Sequence, residues 1–257
     1  MYPNLFGLEG FSMTFMIILA VILAATLLFI YLKFKKVPNK VFIDLLVVIS
    51  ATLVVGILFA ILFENTYEAI KHAINNEPQH WTWAMTFYGG LIGGVITFIL
   101  VYRFYYLRHN EPIMKHILVI APACIALGHG VGRIGCFLSG CCYGIEDHSW
   151  MAVQFPHLDH TVLPTQLIEM IFLFLLAAVL AFLAFKEISY QNFAIYMLSY
   201  GIFRFIIEFF RGDERGQLAG LSPSQYISLL LIIGSVFVFL LFKKKVFVQK
   251  EMNSHAI

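Results

Sequence analysis

The stretch from Val41 to Phe63 decides the fold; it reads VFIDLLVVISATLVVGILFAILF, and its one charged residue is Asp44. As an α-helix, rising about 1.5 Å per residue, it would cross the hydrocarbon core of a bilayer, which is about 30 Å thick. Asp44 stands close to the start of the stretch, where its carboxylate can reach the membrane interface. The stretch therefore predicts a transmembrane helix.

Six further stretches share this apolar character and are of similar length. Because each is about long enough to span a bilayer, we predict an all-α, polytopic integral membrane protein. It would have about seven transmembrane helices in a single transmembrane domain over residues 1–257. The predicted spans are Phe11–Phe34, Val41–Phe63, Met85–Leu107, Ile117–Phe137, Leu163–Phe185, Asn192–Phe210 and Ser222–Phe242.

The composition excludes several other classes of protein. Hydrophobic residues make up 60% of the chain and charged residues 12%, whereas a soluble domain has about 45–50% and about 25%. The formal net charge of +2 and the lack of a basic patch give no reason to expect nucleic acid as a partner. Four cysteines are too few and too unevenly spaced for a secreted disulfide scaffold.

Lys and Arg are distributed unevenly between the loops on the two sides of the predicted membrane. By the positive-inside rule the richer side is cytoplasmic. The N-terminus is then outside and the C-terminus is in the cytoplasm, and two outward-facing loops lie near residues 64–84 and 138–162. The richer side carries Lys33, Lys35, Lys36, Lys40, Arg103, Arg108, Lys115, Lys186, Lys243, Lys244, Lys245 and Lys250, and the poorer side carries Lys71, Arg211 and Arg215.

Ionisable residues inside the fourth predicted span point to a functional site. A central Arg costs about 2.5–3.5 kcal/mol on insertion scales, so it needs a partner or a wet cavity. At helical spacing His129, Arg133, Cys136 and Gly140 fall on one face. The glycines that interrupt this helix allow either close helix packing or a bend that exposes backbone N–H groups to an anion.

The sixth predicted span carries Tyr200, Arg204, Glu208 and Arg211 on one face. Glu208 can pair with Arg204 or with Arg211, and this pairing could serve function or only lock helices together. With one nearby carboxylate, Arg133 and Arg204 leave surplus positive charge near the outer face. A phospholipid headgroup is the anion expected at that depth, and Arg matches phosphate geometry well.

Two other groups of residues allow more than one interpretation. Gln166 and Glu169, early in the fifth span, could extend a polar cavity or cap a helix. In the third span Gly90 and Gly94 stand four residues apart, which is typical of a helix-packing face.

Cys136, Cys141 and Cys142 cluster near the outer face, and several roles are open to them. They could form a disulfide in an oxidising exterior, or Cys136 or Cys141 could be a reactive thiol whose pKa is lowered by Arg133. They could also be inert packing. Adjacent cysteines fit no regular zinc spacing, so the sequence predicts no metal site and no cofactor.

Several blocks of the chain resemble, in the same order, the prolipoprotein diacylglyceryl transferase family. The run from Tyr200 to Arg211 is the most specific of them. The matching blocks are Tyr88–Leu91 (YGGL), Gly132–Gly140 (GRIGCFLSG) with Tyr143 and Gly144, Tyr200–Arg211 (YGIFRFIIEFFR), and Leu221–Ser222 with Ser224–Gln225.

The resemblance implies a multi-pass protein of the bacterial plasma membrane with an activity in lipoprotein biosynthesis. Such an enzyme moves the diacylglyceryl group of phosphatidylglycerol to the lipobox cysteine thiol in the signal-peptide region of a preprolipoprotein. Glycerol phosphate leaves and a thioether forms. The expected partners are therefore phosphatidylglycerol, the preprolipoprotein and membrane lipids.

The resemblance also implies roles for individual residues. Those expected to bind the phospholipid are Arg133, Arg204, Gly140 and Gly144, and those expected to act in catalysis are Arg204, Glu208, Tyr88 and His129. The chain departs from the family's pattern at Tyr88 (usually His), at Cys136 (usually Asn) and at Cys141 (usually an acid). It also lacks the family's Arg after Gly56.

Tyr88 is a poor general base at neutral pH, since the ordinary pKa of a phenol is about 10. His129 and Glu208 are rival candidates for that role. Two other functions stay open. The chain could be a lipid-binding, non-catalytic paralogue, or a thiol-based membrane enzyme that acts on a lipid-linked substrate.

The topology can be tested with reporter fusions after Ser254. We expect a fluorescent protein fused there to fluoresce and alkaline phosphatase fused there to be inactive, because the C-terminus is predicted to be cytoplasmic. Matched fusions after Asp147, in the second outward loop, should behave in the opposite way. Phosphatase activity from the fusion after Ser254 would contradict the topology.

Overall fold

In lipid a polypeptide must satisfy its own backbone hydrogen bonds, and this chain does so with α-helices. The computed structural model describes residues 11–75, 81, 87–101, 103–104, 114–212 and 220–254. The helices in these ranges are α1 (Phe11–Phe34), α2 (Asn39–Asn75), α3 (Phe87–Val101), α4 (Met114–Ser139), α5 (Thr165–Phe185), α6 (Asn192–Ile207) and α7 (Pro223–Ser254).

Six of these described helices, all but α3, are long and apolar enough to cross a membrane. The prediction of an all-α, multi-pass membrane protein is thereby confirmed. Helix α3 is apolar, but its described range of 15 residues is shorter. Helix α2 continues past Phe63 to Asn75, so the first part of the outward segment predicted at residues 64–84 is helical.

The chain divides into two compact units, each described by itself below. The first unit combines α1 with everything from Lys115 onward, and the second contains α2 and α3 over Lys35–Met114. The expectation of a single transmembrane domain stays a prediction.

In the first unit, α4 packs closely against α1 through glycines. A Cβ atom at Gly128 would lie 3.7 Å from the carbonyl oxygen of Ala20 and 3.9 Å from the Ala24 methyl, and one at Gly135 would lie 2.7 Å from the Met13 sulfur. Helix α4 is continuous from Met114 to Ser139. Of the two interpretations of these glycines, close helix packing is therefore the correct one.

A buried amide joins three helices of the first unit away from the charged end. The side-chain Nδ2 of Asn192, at the start of α6, donates to the carbonyl oxygens of Val119 in α4 (2.8 Å) and Leu180 in α5 (3.0 Å). Tyr31 of α1 is also buried there and meets the ring of Phe185 edge-on, with centroids 5.3 Å apart. These contacts fix the mutual register of α1, α4, α5 and α6.

The segment between α4 and α5, which the sequence predicts to face outward, contains a short antiparallel sheet. It contains strands β1 (Val153–Gln154) and β2 (Thr161–Val162), which pair antiparallel with Val153 opposite Val162. Phe155 is fully buried beneath them and contacts the rings of Phe137 and Tyr143. This small core holds the segment against the end of α4.

In the second unit, α2 and α3 pack along glycines. A Cβ atom at Gly94 would lie 3.8 Å from the Thr52 methyl, and one at Gly90 would lie 3.5 Å from the Ala60 methyl. The predicted packing face of Gly90 and Gly94 is thereby confirmed. Sequence reasoning missed Gly93, where an added Cβ would come within 2.3 Å of the Phe59 Cβ.

The substitution Gly93→Ala should therefore destabilise the second unit by about 1–3 kcal/mol, the usual cost of overpacking, because the Cβ of Phe59 cannot move without its backbone. Gly94→Ala is the matched control and should be tolerated, because its new methyl would make only ordinary contacts. Thermal unfolding of both purified variants in detergent measures the difference. An equal melting temperature for the two would show that this packing is looser than described.

Candidate active site

The charged side chains of the first unit meet where α4 and α6 end and where α5 and α7 begin. At the centre lies Glu169 of α5, whose side chain is 0% exposed. A carboxylate in that position cannot keep its charge unless cations and hydrogen-bond donors surround it.

Four side chains surround this carboxylate. On Oε2, Arg133 Nε lies at 3.0 Å and Arg204 Nη1 at 3.9 Å. On Oε1, the Tyr200 hydroxyl donates a hydrogen bond of 3.0 Å, and His129 Nε2 lies at 3.6 Å. The rings of His129 and Tyr200 also meet edge-on, with centroids 5.2 Å apart. Glu169 thus joins the functional faces of α4 and α6.

Arg204 forms a second set of contacts toward α7. Its Nη2 lies 2.7 Å from Glu208 Oε2 and donates to Ser224 Oγ at 3.1 Å. The Ser222 hydroxyl donates to the other oxygen of Glu208 at 2.8 Å. The predicted pairing of Glu208 with a neighbouring arginine is confirmed, and the partner is Arg204. Both carboxylate oxygens of Glu208 are therefore in contact with a partner, and these contacts join the end of α6 to the start of α7.

The start of α7 is a capping box. The Gln225 backbone N–H donates to Ser222 Oγ (3.3 Å), and the Ser222 backbone N–H donates to Gln225 Oε1 (2.9 Å). This capping box uses Ser222 and Gln225, two residues of the Leu221–Gln225 block that resembles the family. It places the Ser222 hydroxyl beside Glu208 and Ser224 beside Arg204.

Two buried guanidinium nitrogens can still donate a hydrogen bond to a ligand. Within the described residues, Arg133 Nε and Arg204 Nη1 make no aligned hydrogen bond, although both lie near Glu169. Their approach to the carboxylate is an ion pair without hydrogen-bond alignment. Donors of this kind, fixed in a low-dielectric site, suit an anionic ligand or a charge that develops during a reaction.

The surplus positive charge expected from Arg133 and Arg204 is not found. The expectation counted Glu208 as the one nearby carboxylate, whereas Glu169 lies between the two arginines as well. The two arginines and two carboxylates therefore balance. Sequence reasoning left Glu169 open, because its role depends on how α5 faces α4 and α6. The signal available was an acid inside a predicted span.

Arg211 does not share a helical face with Arg204. The chain tightens to a 3-10 turn at Glu208–Phe210, and Arg211 has an extended conformation that bridges Gly144. The neighbouring Gly212 backbone N–H donates to the Tyr143 carbonyl at 3.2 Å. The predicted one-face arrangement thus holds for Tyr200 and Arg204 and ends before Arg211.

Gly140 and Gly144, predicted to help bind the phospholipid, have clear local roles. Gly140 has a φ of +70° and ends α4, with the Cys141 N–H donating to the Cys136 carbonyl at 3.1 Å. The Gly144 N–H donates to the Leu163 carbonyl at 2.8 Å. The Gly140 N–H donates to the Phe137 carbonyl at 3.1 Å. Because the amides of both glycines are engaged, any contribution to headgroup binding would come from the shape of the loop.

The three outer cysteines come together beside this site. Their Sγ atoms all lie within 4.8 Å of one another, and all are free thiols. The lack of a regular zinc spacing along the chain therefore does not keep the three sulfurs apart. The reason is a turn in which Cys142 has a φ of +66°.

The local surroundings separate the pKa values of the two adjacent thiols. The pKa of Cys142 is lowered because the Cys136 and Cys141 thiols and the Arg211 side chain hydrogen bond to it. The pKa of Cys141 is raised, chiefly by its hydrogen bonds with Cys136 and Cys142. Arg133 Nη1 lies 3.9 Å from Cys136 Sγ, so the thiols adjoin the arginine site.

Tyr88 lies in the first turn of α3, in the second compact unit. Its side chain is outside the described residues, so its predicted role stays a prediction. Of the other residues predicted for catalysis, the structure brings together His129, Arg204 and Glu208.

These features define a multi-pass membrane protein with a buried arginine–carboxylate site at one end of its helices. The sequence profile of the prolipoprotein diacylglyceryl transferase family matches residues 5–241. The chain therefore belongs to that family of membrane transferases.

Individual relatives agree with this assignment. The chain is 37% identical over 246 residues to the phosphatidylglycerol–prolipoprotein diacylglyceryl transferase of Clostridium tetani, covering 92% of this chain and 94% of that one. It is 34% identical over 251 residues to the phosphatidylglycerol–prolipoprotein diacylglyceryl transferase 2 of Clostridium perfringens, covering 94% of each. The transferase of Finegoldia magna is 28% identical over 253 residues, with 96% and 97% covered.

The central place of Glu169 can be tested by Glu169→Gln, which keeps the shape of the side chain and removes its charge. Leaving two buried arginines with an incomplete set of partners should destabilise the protein by about 3–5 kcal/mol. Glu146→Gln, whose carboxylate is 60% exposed beside His148, is the matched control and should have little effect. Thermal unfolding in detergent measures both; equal melting temperatures would contradict the network.

Proposed function

We propose that this chain transfers the diacylglyceryl group of phosphatidylglycerol to the lipobox cysteine thiol of a preprolipoprotein. The observation that carries the proposal is the pair of buried arginines, Arg133 and Arg204, held on either side of Glu169 with donor capacity left over. In a family of such transferases, that pair is the natural site for the phosphate of the lipid.

The arginines suit the charge that develops in this reaction. When the glyceryl carbon leaves its phosphate oxygen, negative charge grows on the departing glycerol phosphate. Arg133 comes from α4 and Arg204 from α6, and both are fixed by carboxylates before any substrate arrives. Donors that are already in place need no reorganisation during the reaction, which is what makes them effective in a low-dielectric site.

The acceptor thiol must lose a proton, and among the described residues His129 is the group best placed to take it. Its Nε2 lies 3.6 Å from a Glu169 oxygen, which orients the ring, and its side chain is 29% exposed, unlike that of Glu169. Glu208 fits the role less well, because its two oxygens already contact Arg204 and Ser222. We expect Tyr88 to orient an oxygen of the substrate rather than to take a proton.

There is room on α4 beside Arg133. Among the described residues, no atom lies within 4 Å of the position that a Cβ would take on Gly132, next to Arg133. In contrast, Gly128 and Gly135 are packed against α1, and Gly130 is packed against Phe174 of α5. Gly132 thus leaves space on the side of the helix that carries His129 and Cys136.

The proposal predicts that Arg133→Ala and Arg204→Ala each lower transfer by at least about 100-fold, since each removes a charge-assisted donor from a preorganised site. The assay supplies phosphatidylglycerol labelled in its headgroup glycerol and a lipobox peptide. Release of labelled glycerol phosphate and formation of the thioether are measured together. Arg103→Ala, at an exposed arginine in the second unit, is the matched control and should be fully active.

The outcomes separate the proposed function from its alternatives. Transfer at the wild-type rate by either site variant would show that the arginine replaced in it has only a packing role. Lipid binding by the unmodified protein with no transfer to the peptide would identify a lipid-binding protein without this chemistry. Both variants must still elute as single monodisperse peaks in detergent, because both arginines also hold helices together.

A further inference from the structure

Three thiols at the rim of the arginine site are close enough to share one ion. The Sγ atoms of Cys136, Cys141 and Cys142 lie within 4.8 Å of one another. In the described part of the chain, these are the His, Cys, Asp or Glu side chains whose ligand atoms lie close enough together to bind one metal ion. The sequence-based expectation of no metal depended on chain spacing, and the folded turn removes that objection.

We propose that these three cysteines form an open site for a soft divalent ion of the zinc type, bound by three thiolates with one coordination position left vacant. Zinc–sulfur bonds are about 2.3 Å long, so three sulfurs on one ion stand about 3.7–4.0 Å apart. From at most 4.8 Å, the sulfurs need to approach by about 1 Å or less, which small side-chain rotations can provide.

Two side chains of α5 hold the backbone of Cys141 and Cys142 in place. Gln166 Nε2 donates to the Cys141 carbonyl at 2.6 Å, and Thr165 Oγ1 donates to the Cys142 carbonyl at 3.0 Å. Both of these α5 side chains are fully buried. The positive φ of Cys142 turns its side chain to the same side as that of Cys141. A loop fixed this way loses little conformational freedom when an ion binds.

The neighbouring charges suit three thiolates with a divalent ion, which together carry one negative charge. Arg133 Nη1 lies 3.9 Å from Cys136 Sγ, and the Arg211 side chain hydrogen bonds to Cys142. These cations would offset the remaining charge. Cys141 is exposed, so the vacant position can be reached from water. Three protein ligands and one open position are typical of catalytic rather than structural zinc.

The vacant position would take the acceptor thiol, an inference that rests on the proposed function. In that case the ion, rather than His129, would deprotonate the acceptor: a thiol bound to such an ion would lose its proton to water on binding. The thiolate sulfur then forms a bond to the glyceryl carbon as the bond from that carbon to the phosphate oxygen breaks. The electron pair of the broken bond leaves with glycerol phosphate, beside Arg133. No oxidation or reduction is involved.

The site can be tested without any substrate. The full chain, purified in detergent under reducing, oxygen-free conditions, should bind one Zn(II) per chain by elemental analysis, and Co(II) in its place should show thiolate-to-metal charge-transfer absorption. Replacing Cys136, Cys141 or Cys142 by Ser should each weaken binding more than about 100-fold, since even outer-shell partners contribute about 10–100-fold. Cys124→Ser, at the fourth cysteine, is the matched control and should bind normally.

Either of two results would overturn the proposed metal site. One is failure of the reduced protein, with all four thiols titratable, to bind stoichiometric zinc or cobalt. The other is a disulfide among the three thiols in protein purified without reductant, together with no metal uptake after reduction. Equal loss of binding in Cys124→Ser would also count against it, because that thiol lies outside the cluster.

A transfer assay with chelator-treated and zinc-reloaded protein separates this inference from the proposed function. We expect transfer to fall at least about 10-fold on metal removal and to recover on reloading. Transfer that is unaffected by metal removal would refute the catalytic use of the ion and leave the proposed function intact. Stoichiometric binding with no transfer in either state would refute the proposed function and leave the metal site intact.

Discussion

A fully buried carboxylate between two arginines is the constraint on which the functional end of the first unit depends. Glu169 has no exposed surface, and it lies in a helix apolar enough to span a membrane. An unpaired charge there would cost several kcal/mol, so Arg133 and Arg204 must stay beside it. Since these three residues come from α5, α4 and α6, their ion pairs fix the ends of three helices at once.

The same network extends to the fourth helix of the site. Arg204 also contacts Glu208 and Ser224, and Ser222 joins Glu208 to the capping box that starts α7. Helix capping, helix docking and the positioning of the arginines are therefore one set of interactions. A substitution at any of these residues should change both stability and activity, which is why the activity tests above need a parallel measure of folding.

Electrostatic balance limits how a phosphate could bind. The two arginines and two carboxylates sum to zero, so a phosphodiester would add one net negative charge to the site. A guanidinium has five N–H donors, and those left over on Arg133 and Arg204 can be shared with an anion without breaking the existing pairs. The Arg211 side chain, which hydrogen bonds to Cys142, is a further source of positive charge at the rim of the site.

Features that depend on one helix were predictable from the sequence. The apolar stretches predicted the membrane-spanning helices, and the four-residue spacing of Arg204 and Glu208 predicted their pairing. Features that depend on two segments were not. The central role of Glu169 requires the rotation of α5 against its neighbours, and the departure of Arg211 from the α6 face requires the 3-10 turn after Ile207.

The cysteines show most clearly why spacing alone misleads. Because adjacent cysteines fit no regular zinc spacing, the sequence predicted no metal site. The Gly140 cap reverses the chain at the end of α4, and the positive φ of Cys142 turns its side chain back toward Cys136. Neither conformation follows from residue spacing.

Two of the converging sulfurs occupy positions where the resemblance to the family implies other residues. It implies an Asn at Cys136 and an acid at Cys141, and the folded turn brings both thiols beside Cys142. Cys136 Sγ lies 3.9 Å from a nitrogen of Arg133, the arginine proposed to hold the lipid phosphate. Thiols grouped at that place suit an ion that would activate the acceptor thiol next to the departing phosphate, a role that the resemblance would otherwise leave to a basic side chain.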